Sequence, residues 1–84
     1  MDKKYYKIIG KNIAYYRKQK HLTQEGFAMR ANVTRSYISQ IEAKNLDVLP
    51  SLPMLIHLGE TLGIEPYLLL VDIIINRDCK DFTE

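Results

Sequence analysis

The feature that most constrains this 84-residue chain is a capping pattern that occurs twice in quick succession. Leu22-Thr23 precedes one run of helically spaced apolar residues, and Val33-Thr34 precedes the next. Each threonine stands where its hydroxyl oxygen can accept a hydrogen bond from a free N–H of a first helical turn. Leu22 with Phe27, and Val33 with Ile38, have the spacing of a hydrophobic staple across such a start. The pattern predicts a second helix from Gln24 to about Ala31 and a third from Arg35 to about Ala43. About three residues join them, so the chain must turn sharply, and Asn32 is a residue type that tolerates the left-handed conformation of such a turn. Helices joined so tightly cross with little room between them. Ala28 is small enough to let them approach, while Phe27, Ala31, Val33, Ile38 and Ile41 face a core. What remains on the third helix is a face of Arg35, Ser36, Ser39, Gln40 and Ala43, polar and carrying one charge. A helix-turn-helix presents such a face to the major groove of DNA.

The rest of the chain reads as helix as well. Ile9, Ile13 and Tyr16 fall at i, i+4 and i+7 and predict an amphipathic first helix over about 4–20. His21 ends it in left-handed geometry. After a loop from Lys44 to Pro50, Ser51 caps a fourth helix with Pro53 in its first turn and Gly63 at its end. Ile64-Glu65-Pro66 opens a fifth, expected to run to near Asn76. On it, Pro66, Leu69, Leu70 and Ile73 share a face that closes the core. Leu68, Val71 and Ile75 form a second apolar face, with Tyr67 and Ile74 beside it. So small a chain has no further layer to cover that second face, which is therefore expected to be a symmetric homodimer interface. The fold class is all-α with five short helices: one domain over 1–78 and a charged, frayed tail over 79–84.

Composition narrows the function. Residues 1–44 hold ten Lys/Arg and three acids, a net +7, and residues 45–84 hold two bases and seven acids, a net −5, which together give the chain's +2. A basic half and an acidic half suggest a polyanion on one side and a different partner, such as a basic protein, on the other. Cys79 is the lone cysteine, so no internal disulfide is possible and a reducing compartment fits. No signal peptide is visible and no apolar stretch is long enough for a bilayer, which points to the cytoplasm and away from membranes. The inventory argues against an enzyme: His21 and His57 are the only histidines, and there is no glycine-rich phosphate loop or nucleophile motif. His57 and Glu60 at i, i+3 read as a solvated pair, so neither metal nor cofactor is expected.

The run LTQEGFAMRANVTRSYISQIEAK, Leu22 to Lys44, resembles the helix-turn-helix of the lambda repressor and Cro superfamily of bacterial and phage regulators. The likeness continues through SLPMLIHLGETLGI, Ser51 to Ile64, and covers about residues 6–70. It implies a five-helix lambda-repressor-like domain that regulates transcription as a homodimer on a roughly palindromic double-stranded operator. Arg35, Ser36 and Gln40 are the expected base-reading residues, since arginine pairs with guanine O6 and N7, and glutamine suits adenine. Thr23, Gln24, Thr34, Tyr37, Ser39, Lys44 and Asn45 are the expected DNA-backbone contacts, although Tyr37 is equally placed to pack on the fourth helix. The resemblance also implies that Arg17, late in helix one, bridges Glu42 at the end of helix three. Three positions that are usually glycine in the family are here His21, Asn32 and Lys44, the last able to pass its role to Asn45. The segment TRSYIS, Thr34 to Ser39, is similar to the controller proteins of restriction–modification systems, and an antitoxin that grips a basic protein through its acidic half is the alternative from another class. The chain is expected to end soon after this domain, which leaves regulation to concentration, dimerisation and cooperative binding.

Overall fold

A computed structural model describes residues 4–43 and 48–72. Four α-helices follow one another, α1 over Lys4–Gln19, α2 over Gln24–Ala31, α3 over Arg35–Glu42 and α4 over Leu52–Thr61, and a 3₁₀ turn over Pro66–Leu70 closes the order. No strand occurs among the described residues. The expected starts are made by the expected atoms: Thr23 Oγ1 accepts from Gly26 N at 2.9 Å, Thr34 Oγ1 from Tyr37 N at 3.0 Å and Ser51 Oγ from Met54 N at 3.3 Å. The turns are made as the sequence predicts, with His21, Asn32 and Gly63 at φ of 58°, 58° and 72°. After Asn32 turns the chain, its N–H and that of Val33 return to the carbonyls of Met29 and Ala28.

The core gathers one face of every element: Ile9 and Ile13 from α1, Phe27, Ala28 and Ala31 from α2, Ile38 and Ile41 from α3, Leu55 and Leu58 from α4, then Leu62 and Leu69. Burial of each large aliphatic or aromatic side chain contributes about 1.5–3 kcal/mol, and nearly all of that burial lies between elements rather than within them. Two close approaches set the packing. At Gly10 an added Cβ would press on the carbonyl oxygen of Ile41, so α1 and α3 touch backbone to backbone. At Gly59 a Cβ would stand 2.8 Å from Pro66 Cα, so α4 and the 3₁₀ turn do likewise.

The fifth element corrects the sequence reading. An α-helix to near Asn76 was expected, yet the helical turn is 3₁₀ and stops at Leu70, and Val71 is extended at φ −91°, ψ 129°. The reason lies in a residue far away in sequence. Asn12, 1% exposed on α1, donates its side-chain Nδ2 to the carbonyls of Leu69 and Val71 at 2.7 Å each, with Leu68 O at 3.2 Å. Leu68 O also accepts from Val71 N at 3.3 Å, the bond that closes the 3₁₀ turn, while the carbonyls of Leu69 and Val71 are engaged by Asn12 instead of by N–H groups further along a helix. The face expected to close the core is likewise shorter than expected: Leu69 is fully buried, but Leu70 is 44% exposed. Ile73, Ile74, Ile75 and the tail over 79–84 lie outside the described residues.

One donor group thus holds the chain's last described turn against its first helix. Asn12→Ala strands those carbonyls and is expected to lower unfolding free energy by about 2–3 kcal/mol. Asn12→Asp should cost more, because an ionised carboxylate has no N–H to give and faces oxygen atoms. Urea unfolding followed by circular dichroism measures both; a loss below about 0.5 kcal/mol for the alanine variant would contradict the clamp.

Candidate nucleic-acid interface

The geometry of α3 follows from its two sides. Ile38 and Ile41 are buried to 0% and 2% exposure, which fixes the helix's rotation about its own axis. Arg35, Ser36, Ser39 and Gln40 are then all exposed, on the opposite side. Tyr37, on the flank, is half-buried and packs against the core, and this burial raises its phenol pKa. Ala43 is half-buried and ends the helix in extended geometry. Lys44 and Asn45 lie outside the described residues.

The rear of the motif is held by charge. Arg17 Nε donates to Glu42 Oε2 at 2.8 Å and Nη2 donates to Glu42 Oε1 at 2.9 Å, a two-pronged pair. The third prong, Nη1, donates to the carbonyl of Leu22 at 2.8 Å, and Gln24 Nε2 adds a bond to Glu42 Oε1 at 3.0 Å. The side chains of the ion pair are only 10% and 7% exposed. This set joins the end of α1, the following turn, the start of α2 and the end of α3. The bridge implied by resemblance is present, and Gln24 belongs to it: one hydrogen of its amide nitrogen is committed inward, leaving its second hydrogen and its backbone N–H at the mouth of α2. Thr23 and Thr34 are exposed, with their hydroxyls engaged as caps.

Two further residues, Asn12 and His57, tie elements together. Asn12 sits four residues after Ile8 and four before Tyr16, on the flank of an apolar stripe, and a polar residue so placed is a signal of a buried hydrogen bond. His57, expected to form a solvated pair with Glu60, instead donates its Nε2–H to the carbonyl of Ala31 at 2.7 Å and ties α4 to the end of α2. Of the expected interface residues on the last turn, Tyr67 is exposed and Leu68 and Val71 are half-buried. Among the described residues, no group of His, Cys, Asp or Glu is arranged to hold a metal ion, and no helix is long and apolar enough to cross a membrane.

Comparison with known proteins agrees with this geometry. A helix-turn-helix family model matches residues 13–69. The fold is also that of a crystal structure of the hypothetical transcription factor NHTF from Neisseria, with a TM-score of 0.80 at 22% identity over 94% of this chain and 90% of that one. No curated protein sequence matches. The chain belongs to the helix-turn-helix family, and it is a DNA-binding regulator of transcription of the lambda repressor and Cro type.

A buried pair stripped of one partner leaves an uncompensated charge, which costs more than the pair itself contributes. Glu42→Ala is therefore expected to destabilise the fold by about 3–5 kcal/mol. Glu42→Gln, which keeps an oxygen for Arg17, should cost less. Thermal unfolding of the two variants checks both the size and the order.

Proposed function

We propose that two copies of this protein bind a single operator of roughly two-fold symmetry and regulate transcription from it in the cytoplasm. Each copy lays α3 in a major groove, the two grooves lying about 34–36 Å apart on one face of the duplex. Arg35, at the first position of α3, reads guanine through O6 and N7; Gln40, one turn on, takes adenine or a phosphate, and Ser36 meets a base edge or a backbone oxygen. Thr23, Gln24, Thr34, Tyr37 and Ser39, with Lys44 and Asn45 beyond α3, meet the backbone. The observation that carries this reading is the exposure of four hydrogen-bonding side chains on one side of a helix whose other side is locked into the core.

The homodimer reading is supported by the apolar surface of the last turn. Tyr67 is 63% exposed and Leu70 44%, side by side with the half-buried Leu68 and Val71. A contiguous apolar patch on so small a domain favours association with a second copy. Ile74 and Ile75 extend the same apolar run in sequence.

Arg35→Ala is expected to cost about 1–3 kcal/mol of binding for each guanine read, and to relax preference at that base pair alone. Titration of operator variants checks this, and equal weakening on all of them would make Arg35 a phosphate contact instead. Sedimentation of the unmodified protein at micromolar concentration is expected to give a dimer; a clean monomer there would remove the dimer and leave the recognition helix in place.

A further inference from the structure

We propose that α1 carries a second track for the DNA backbone, made by Lys7, Lys11 and Lys18, which extends the contact beyond the recognition helix. The inference rests on α3 docking in the major groove as set out above.

The sequence of α1 contains four lysines, one arginine and no acidic residue. Arg17 is neutralised by Glu42. Lys7, Lys11 and Lys18 are exposed, and no ion pair joins any of them to an acid among the described residues. Their spacing, together with Ala14, is i, i+4, i+7 and i+11, which is one straight stripe along a helix. The stripe is about 16 Å long, from 1.5 Å of rise per residue. Solvated helices ordinarily alternate their charges, because like charges at i, i+4 repel by a few tenths of a kcal/mol. Lys7 and Lys11 carry that repulsion with no acid nearby on the helix to relieve it.

The position of the stripe identifies its polyanion. Gly10 and Arg17, one step round α1 from the lysines, are the residues that touch the end of α3: Gly10 against the carbonyl of Ile41, Arg17 against Glu42. With eight residues, α3 is about 12 Å long, which is also about the width of the major groove. A helix of that length with its first residues at the base edges has its last residues at the groove wall, where the phosphates run. The lysines beside that end are then next to the strand bounding the groove. Lysine, a flexible point charge, suits contact with phosphates irrespective of sequence.

The test compares the wild-type protein with Lys7→Gln/Lys11→Gln/Lys18→Gln on a long duplex carrying an operator that the wild type has selected from random duplex DNA. The wild type, with about 6–10 phosphate contacts, is expected to show a log–log salt slope near −5 to −9. The triple variant should lose about 2–3 from that slope, so that its deficit shrinks by roughly 40-fold between about 50 and about 200 mM salt. Its base preference should be unchanged, and its thermal stability equal or higher, since the repulsion is gone. On a duplex trimmed to the operator core the two proteins should bind more nearly alike. A variant with the wild-type slope would overturn the proposal. So would one that keeps that slope and loses only cooperative binding to adjacent operators, which would give the stripe to an acidic protein surface. Failure of α3 docking is a separate result: the wild type would then show no operator preference at all.

Discussion

The Arg17–Glu42 pair is the interaction on which the functional surface depends. A helix of eight residues has too few internal hydrogen bonds to persist alone, so α3 is held by what it packs on. Ile38 and Ile41 fix its rotation, but apolar contacts are not directional and do not fix how far it slides along its axis. The two-pronged bond from Arg17 to Glu42 does, because both oxygens must meet both nitrogens in one plane. Taking two charges out of water is costly. The cost is offset here by four hydrogen bonds within one small group, which also places the start of α2 through Gln24 and the turn through Leu22. Scaffold and α3 are thereby one rigid unit, and the exposed side of α3 is held in a single register.

Asn12 has the corresponding job at the other flank of α1. A thin core of short helices leaves its last element with little to hold it, and the 3₁₀ turn over Pro66–Leu70 is anchored by the buried Leu69 and by the carbonyls given to Asn12. This arrangement shapes the apolar surface of Tyr67 and Leu70 without burying it. α1 is therefore the hub of the domain. One flank positions the recognition helix, the next positions the last turn, and the side away from the core carries exposed lysines.

Legibility in the sequence followed the range of the interactions. The threonine and serine caps and the left-handed turns at His21, Asn32 and Gly63 are decided by neighbours a few residues away, so local chemistry was enough to find them. The outward face of α3 was legible because Ile38 and Ile41 fix what must point in. The last element was not. Its apolar spacing satisfies helical periodicity, but its carbonyls are captured from 56 to 59 residues away by Asn12. Periodicity contains no information about such a contact. The same holds for Gln24, expected to meet the DNA backbone, and for His57, expected to be solvated, each of which bonds to a partner on another element.

In the proposed function α3, locked from behind, reads base pairs in duplex DNA as one half of a pair. Selection of binding sites from random duplex DNA by the wild-type protein and Arg35→Ala in parallel tests this most directly. The wild type is expected to enrich two inverted half-sites with centres about one helical turn apart, or a multiple of it. Each half should hold a guanine that Arg35→Ala no longer selects. A single unpaired motif, or the same motif enriched by both proteins, would contradict it.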